Sequence, residues 1–383
     1  MKLIHISDLH LGKRVNEFPM LEEQKDILQK ILAVIEEEEP DAVLIAGDVY
    51  DKSVPSTEAV ETFDEFLVQL AEKNSPVFII SGNHDSPERL AFANRLIDLS
   101  GIHLAPVYHG CVTPLKLKDA YGEVNIYMLP FVKPAHVRRF FPEEEITSYE
   151  DALRTAIADM GIDPKARNIL LTHQFVTGAA VSDSEELSVG GTDGVSADLF
   201  SGFDYVALGH LHRPQTIKEK DGTLLRYSGS PLKYSFSEAG DHKSVTIVEM
   251  KEKGNLTLTF QGLDALHDRV EIKGEYNALT YKPYYDAHPA LRESFLHITL
   301  TDEEDVLDAA AKLRIIYPYL MKLDYDNTRT RAQHTIAPLA EAEQKTPMEL
   351  FGIFYEMQNG QEMNEAQKNY MKEMIEKVWE AGS

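Results

Sequence analysis

Short runs of apolar, often β-branched residues recur along the first two thirds of the chain, and each run ends in a cluster of polar residues. Such runs are typical of strands that are buried on both faces. We predict strands at residues 3–7, 42–46, 77–81, 169–172 and 205–209. Between them lie amphipathic helical patterns, for example at residues 27–35 and 63–70. The alternation of the two patterns predicts an α/β fold.

The remaining chain divides into further predicted units. From about residue 224 to residue 263 the pattern is that of strands alone. Together with the α/β pattern before it, this predicts one domain at residues 1–263, with a mixed sheet or a pair of sheets and with helices outside. A small α+β domain is predicted at residues 266–335. Its helix is expected to begin at a capping box, Thr301-x-x-Glu304. Residues 336–383 predict a linker and a helical tail.

The tail ends in a predicted helix with one broad apolar stripe, formed by Tyr370, Met371, Met374, Ile375, Val378 and Trp379. This stripe can pack against the chain's own domains. Alternatively, it can dock in a groove of a partner protein, because methionine adapts its shape and aromatic side chains bring a large contact area. The sequence leaves both alternatives open.

The composition is that of an ordinary soluble globular protein, with 43% hydrophobic and 26% charged residues among 383. No apolar run approaches the roughly 20 residues of a membrane-spanning helix, and the first residues lack the apolar core of a signal peptide. We therefore expect a cytoplasmic protein with no membrane partner. Its single cysteine, Cys111, excludes an internal disulfide and a zinc site built from several thiolates.

The formal net charge of −25 argues against a free-standing nucleic-acid binder, because lysine and arginine normally carry the affinity for phosphates. It does not exclude an enzyme whose bound cations or partner subunit supply positive charge locally. The sequence contains no Gly-x-x-x-x-Gly-Lys phosphate loop and no Gly-x-Ser-x-Gly elbow. It therefore predicts neither nucleotide binding of that kind nor a serine hydrolase.

Five polar clusters that directly follow predicted strands carry the residue types of a metal site. They are Asp8-x-His10, Gly47-Asp48-x-x-Asp51, Gly82-Asn83-His84-Asp85, His173 and Gly209-His210-x-His212. Strand ends of an open α/β sheet meet in one crevice, so we expect these side chains to converge. Carboxylate, amide and imidazole ligands without sulfur suit Mn²⁺ or Fe²⁺, with Zn²⁺ and Mg²⁺ as alternatives. Any one cluster could be a helix cap or a loop, but the five in this order indicate a metal centre.

The ordered clusters resemble the motifs of the calcineurin-like metallophosphoesterase superfamily over roughly residues 1–249. The resemblance implies a two-sheet sandwich flanked by helices and a site for two divalent cations. One ion would be bound by Asp8, His10, Asp48 and His212. The other would be bound by Asp48, Asn83, His173 and His210, so that Asp48 serves both.

The resemblance also implies one functional residue outside the ligand set. His84 is similar to the family's histidine that approaches the scissile phosphate and assists the leaving oxygen. Asp85 would either orient His84 or hold the loop. With these residues, the chain is expected to hydrolyse phosphoesters by a two-metal mechanism, in which the cations acidify a water molecule and neutralise the phosphate oxygens.

Further stretches, at residues 188–191, 203–215 and 227–232, look like the SbcD family of nuclease subunits. This closer resemblance implies Mn²⁺-dependent exonuclease and endonuclease action on duplex DNA ends and hairpins, in DNA repair, recombination and replication. It also implies that the C-terminal helices bind an SbcC-type ATPase. The nuclease subunit would be a homodimer within a heterotetramer.

Three alternatives to a nuclease differ in features that the sequence contains. A cyclic-nucleotide or other small-molecule phosphodiesterase would use the same ligands, but it would not need the long extension after Leu263. A protein phosphatase normally has arginine after Gly-Asp-x-x-Asp, where this chain has Lys52. A scaffold with a decayed metal site would lack a ligand or His84, and this sequence lacks neither.

Overall fold

The computed structural model describes residues 1–73, 75–92, 97–185, 193–328 and 330, and short stretches between 348 and 374. Two six-stranded sheets form the larger part of this structure. No helix in the described ranges is long and apolar enough to cross a membrane.

Three of the predicted strands lie side by side in the first sheet. In spatial order this sheet consists of β14 (Leu256–Gly262), β13 (Ser244–Met250), β1 (Lys2–Ile6), β4 (Ala42–Ala46), β5 (Val77–Ile80) and β6 (Ile102–Ala105). Strands β1, β4, β5 and β6 are parallel, whereas β13 runs antiparallel to both β1 and β14. The parallel strands are continuous apolar runs because both faces of the sheet are covered.

The second sheet contains the other two predicted strands. Its spatial order is β11 (Gln215–Lys218), β12 (Leu224–Tyr227), β10 (Tyr205–Gly209), β9 (Arg167–His173), β8 (Gly122–Leu129) and β7 (Leu115–Asp119). Strands β8, β9, β10 and β12 are parallel to one another. A separate two-stranded ribbon, β2 (Arg14–Val15) with β3 (Phe18–Pro19), follows β1.

The two sheets pack face to face on a shared apolar core that includes Leu44, Phe78, Ile126 and Leu171. A buried hydrogen bond of 2.8 Å between His5 Nδ1 and the Tyr205 hydroxyl also joins them. Helices cover the outer faces: α1 (Leu21–Glu38), α2 (Thr57–Glu72), α3 (Pro87–Leu90), α4 (Pro134–Arg138) and α5 (Tyr149–Asp159). The expected two-sheet sandwich flanked by helices is therefore confirmed.

The C-terminal unit has three parallel strands and a core of its own. The strands β15 (Arg269–Gly274), β16 (Phe295–Leu300) and β17 (Leu320–Tyr325) lie in this order in one sheet. Its helices are α6 (Tyr276–Leu279), α7 (Lys282–Ala287) and α8 (Ala309–Ile316). Single turns of 3-10 helix occur at Asp98–Ser100, Ala197–Phe200, Phe236–Glu238 and Pro289–Glu293.

The predicted start of the helix at Thr301 is wrong. Helix α8 begins at Ala309, after Asp308 in a left-handed conformation with φ of 55°. The backbone N–H of Thr301 instead donates to the carbonyl of Gly274, which extends the pairing of β16 with β15. The adjacent Asp302 carboxylate accepts a hydrogen bond from the N–H of Tyr276, 2.7 Å away. These polar groups hold the sheet and the start of α6, and none of them caps α8.

Only part of the predicted tail is described. Ile375, Val378 and Trp379 of the apolar stripe lie outside the described residues. Tyr370 and Met374 are described, and both are exposed. The division of the chain at residues 263, 266, 335 and 336 stays a prediction.

Candidate metal centre

All the predicted ligands lie where strands of the two sheets end. Asp8 and His10 follow β1, Asp48 follows β4 and Asn83 follows β5; His173 ends β9, and His210 and His212 follow β10. Asn83 is half-buried, and the other six side chains are buried. The structure thus brings together every candidate ligand named from the sequence, as the convergence of strand ends predicts.

The backbone at this centre is unusual for residues other than glycine. Asp8, His10, Asp48 and His210 have φ angles of 54°, 46°, 50° and 106°. L-residues rarely adopt such positive φ angles, and strain of this kind concentrates at functional sites. Backbone hydrogen bonds hold the conformation, including His10 N–H to Asp48 O at 2.9 Å. The N–H of His210 donates to the Asp8 carboxylate at 2.9 Å.

One group of donor atoms surrounds the expected first ion site. His10 Nε2 lies 3.0 Å from His212 Nε2 and 3.6 Å from Asp48 Oδ2. Ligand atoms of Asp8, His10 and His212 all lie within 4.8 Å of one another. Two imidazole nitrogens at this separation repel unless a proton or a cation lies between them, so the arrangement fits a bound cation.

A second group surrounds the other expected ion site. His173 Nε2 lies 3.3 Å from Asp48 Oδ2. The amide oxygen of Asn83 is 3.0 Å from His173 Nε2 and 3.0 Å from His210 Nδ1. Asp48 therefore contacts histidines of both groups, as expected of a ligand that two ions share. Both groups combine carboxylate and imidazole without sulfur, a donor set that fits divalent transition metals.

Burial keeps three of the histidines neutral and therefore able to bind a cation through a lone pair. It lowers the pKa of His210 and of His212 to about 3, and it lowers the pKa of His10 well below the ordinary value. Burial also opposes charge on His173, but the neighbouring Asp48 carboxylate raises the pKa of His173 to about 9. Without a cation, protonated His173 balances the charge of Asp48; a bound ion would displace that proton.

Hydrogen bonds to the far ring nitrogens fix the tautomers of two ligands. His173 Nδ1–H donates to the carbonyl of Ala46 at 2.8 Å, and His212 Nδ1 lies 2.6 Å from the Ser184 hydroxyl. In the neutral form of each imidazole, the proton then lies on Nδ1, and Nε2 has a free lone pair directed to the centre, the usual arrangement for a histidine that ligates a metal.

His84 lies beside the donor groups, half-buried, with its ring packed edge-on against His10 at a centroid distance of 4.8 Å. Its Nδ1 is 3.0 Å from the carbonyl oxygen of Asp51, and its backbone N–H donates to Asp48 Oδ1 at 2.9 Å. A nitrogen of His84 also lies within 4.8 Å of ligand atoms of His10 and Asp48. The Asp51 carbonyl engages Nδ1, so Nε2 is the nitrogen available to a substrate.

Of the two roles considered for Asp85, the described contacts support holding the loop. Its buried carboxylate accepts hydrogen bonds from the backbone N–H groups of Val49, Tyr50 and Gly82, at 3.2, 2.9 and 2.9 Å. These bonds tie the loop after β4 to the loop after β5. The orientation of His84 instead depends on a main-chain carbonyl, which carries no signal in the sequence.

The close approach of these two loops requires a glycine at position 82. A Cβ atom there would lie 2.1 Å from Asp48 Oδ1 and 2.5 Å from Asp48 N. We expect Gly82→Ala to displace Asp48, to weaken cation binding, and to lower the free energy of unfolding by about 1–3 kcal/mol, as overpacking usually does. Chemical denaturation and a cation titration measure the two effects.

The matched control is Gly240→Ala, because a Cβ at Gly240 has no atom within 4 Å and the residue has no positive φ. Gly240→Ala should keep the stability and cation affinity of the wild type. Equal behaviour of Gly82→Ala and Gly240→Ala would contradict the close approach at Asp48.

Two family profiles match this chain, and one curated relative is similar over nearly its whole length. The profile of the calcineurin-like phosphoesterase family matches residues 1–214, and a profile described as the type 5 capsule protein repressor C-terminal domain matches residues 263–359. The SbcD subunit of the nuclease SbcCD from Staphylococcus epidermidis is 31% identical over 382 residues, covering 98% of each chain.

Two solved structures are also similar. A dimetal phosphatase from Danio rerio aligns with a TM-score of 0.43 and 12% identity, over 70% of this chain and 98% of that chain. The protein TT1561 of Thermus thermophilus aligns with a TM-score of 0.41 and 10% identity, over 68% of this chain and 98% of that chain.

Proposed function

This chain belongs to the calcineurin-like phosphoesterase family and, within it, to the SbcD nuclease subunits, and we propose that it cleaves phosphodiester bonds of DNA. It would act as an exonuclease on double-stranded ends and as an endonuclease on hairpins and single strands. The observation that carries the proposal is the pair of donor groups that meet at Asp48, with His84 beside them. The long C-terminal unit is the feature that favours a nuclease over a cyclic-nucleotide phosphodiesterase.

Each candidate residue has a specific role in this proposal. Asp8, His10, Asp48 and His212 would hold one cation, and Asp48, Asn83, His173 and His210 would hold the other. When bound, the two cations would supply Lewis-acid chemistry for the attacking water and for the phosphate oxygens. The proposed ligand set contains two carboxylates, Asp8 and Asp48, so the charge of this set with two dications would be about +2 and would attract a phosphodiester. Mn²⁺ is the proposed native ion.

His84 is proposed as the general acid. The Nδ1–H group of His84 would donate a hydrogen bond to the carbonyl of Asp51. In the imidazolium form of His84, the second proton lies on Nε2 and would be transferred to the leaving oxygen, which leaves neutral His84. The closeness of His84 to both His10 and Asp48 supports this role.

Three of the basic residues close to the motifs are engaged in ion pairs. Lys13 pairs with Asp51 at 2.7 Å, Arg213 pairs with Asp241 at 3.1 Å, and Lys233 pairs with Asp268 at 2.7 Å. With a formal charge of −25 on the chain, DNA affinity would depend on the bound cations and on a partner protein. An SbcC-type ATPase bound through the C-terminal helices is that proposed partner.

The partner proposal predicts that removal of the chain after Pro338 abolishes binding of the ATPase subunit. The sandwich contains every candidate ligand, so the truncated protein should keep its cation binding and its hydrolysis of a small phosphodiester. A pull-down with the purified ATPase subunit tests this, and retained capture would contradict the role of the tail.

The proposed homodimer within a heterotetramer would cover apolar side chains that are exposed in one chain. Val60 and Val68 on α2 are 43% and 52% exposed. Single exposed valines are ordinary on a protein surface and mark an interface only where they belong to a contiguous apolar patch. Light scattering of the purified chain, with Val68→Glu beside the wild type, measures whether this helix contributes to the dimer.

The decisive assay for the function uses purified protein with Mn²⁺ on hairpin-ended duplex DNA and on cyclic nucleotides. Cleavage of the DNA, with little or no turnover of cyclic nucleotides, is the expected result. Turnover of cyclic nucleotides while the DNA stays intact would refute the nuclease and support the small-molecule phosphodiesterase.

A further inference from the structure

A buried ion pair lies behind one of the candidate ligands, outside the two donor groups. Lys243 Nζ and Glu238 Oε2 are 2.6 Å apart, and their side chains are 3% and 0% exposed. Lys243 also donates to the backbone carbonyl of His212 at 2.7 Å. Burial of two charges has a high free-energy cost unless both are paired and hydrogen-bonded. A role for this buried ion pair is therefore expected.

The pair connects to the ring of His212 through one hydroxyl group. Ser184 Oγ–H donates to Glu238 Oε1 at 2.6 Å. Because the only hydroxyl proton of Ser184 is used there, its contact of 2.6 Å with His212 Nδ1 requires that Nδ1–H donates and Ser184 accepts. The three residues form a directed chain from the imidazole to the carboxylate, and Lys243 holds the carboxylate ionised.

We propose that Ser184 and Glu238 are positioning residues for His212, which fix its tautomer and direct its Nε2 to the first ion. The inference rests on the proposed function, because it assumes that His212 binds one of two cations. Outer hydrogen-bond partners of this kind typically change metal affinity or activity by about 10- to 100-fold when removed.

The geometry makes the effect specific to one of the two ions. His173, assigned to the second ion, is oriented by the backbone carbonyl of Ala46, which no substitution at Ser184 alters. His212 depends on side chains that lie 28 and 26 residues away along the chain. Loss of the Ser184 hydroxyl should therefore weaken binding of the first ion and leave binding of the second ion unchanged.

Glu238 has a second task, which makes it a poor test residue. Its Oε1 accepts hydrogen bonds from the N–H groups of Tyr234 and Ser235, at 3.2 and 2.9 Å, and so stabilises the turn around it. Glu238→Gln would also weaken the ion pair with buried Lys243. Ser184→Ala removes only the hydroxyl, keeps the ion pair, and is the informative variant.

The experiment is a calorimetric Mn²⁺ titration of the full chain, with the absorption spectrum of the Co²⁺-loaded protein as a second measurement. For Ser184→Ala we expect one of two ions to bind about 10- to 100-fold more weakly, the other to bind as in the wild type, and the Co²⁺ spectrum to change. Ser184→Thr retains a hydroxyl, so its Mn²⁺ affinities and its Co²⁺ spectrum should be those of the wild type. Ser100→Ala, at an exposed turn before β6, is the control and should match the wild type.

The outcomes separate this inference from the proposed function. If the wild type binds two ions and Ser184→Ala binds both with unchanged affinity and an unchanged spectrum, the positioning role is wrong and the function stands. Equally weaker binding of both ions would also contradict the positioning role, because it would indicate a general loss of structure. A wild-type chain that binds fewer than two ions would overturn the proposed function itself, and the positioning role with it.

Discussion

Replacement of Asp48 by alanine is expected to lower the rate of phosphodiester hydrolysis by about 10³-fold or more and to weaken the binding of both cations. Removal of one group that stabilises charge at a reaction centre costs roughly 10²- to 10³-fold, and Asp48 contacts both donor groups, through His10 and through His173. The variant also removes the carboxylate that balances protonated His173 in the cation-free chain. Steady-state kinetics and a cation titration measure the two effects.

The control for this variant is Asp159→Ala, which removes an exposed carboxylate at the end of α5. It should retain activity and cation binding. Asp48→Asn provides a variant of nearly the same shape in case Asp48→Ala does not fold, and circular dichroism checks both. A variant of Asp48 that loses activity but keeps both cations at wild-type affinity would contradict the shared-ligand role.

Replacement of His84 by glutamine is expected to lower kcat by about 10²- to 10⁴-fold, the usual contribution of a general acid, while two cations remain bound. The loss should be much smaller on a bis(p-nitrophenyl) phosphate substrate, because p-nitrophenolate leaves without being protonated. The ratio of the two losses therefore measures proton donation by His84 rather than a general effect on the site.

His109→Gln is the matched control, since His109 is exposed and belongs to none of the candidate ligand groups. It should have wild-type kinetics on both substrates. Loss of a cation in His84→Gln would show that His84 is a ligand, in line with its closeness to His10 and Asp48. An equal loss of kcat on both substrates would also contradict the role as an acid.

The candidate ligands could be predicted because each lies at the end of a buried strand or a few residues after it. Strand β4 is apolar along its whole length, so a charged residue such as Asp48 shortly after it indicates a functional role. Parallel strands place their carboxyl ends at one edge of the sheet, so the residues that follow them lie close together. The order of the clusters then identified the family. These signals are local in sequence, which is why the strand pattern predicted the convergence of the site. The pattern left a mixed sheet and a pair of sheets open, and the resemblance to the family implied the two-sheet sandwich.

The supporting contacts could not be predicted, because they depend on the tertiary structure. Ser184 is 28 residues from His212 and 54 residues from Glu238, and a serine in a loop has no feature that marks it. The partner of His84 Nδ1 is a backbone carbonyl, which any residue at position 51 would supply. The helix expected at Thr301 was wrong for a similar reason: pairing of β16 with β15 uses the N–H of Thr301, and local capping patterns do not reveal such pairing.

The most direct test of the two-cation centre is the anomalous scattering of Mn²⁺ in crystals of the protein grown with that ion. Two peaks are predicted, one enclosed by Asp8, His10, Asp48 and His212 and the other by Asp48, Asn83, His173 and His210, with Asp48 between them. A single peak, or peaks that do not contact Asp48, would contradict the account.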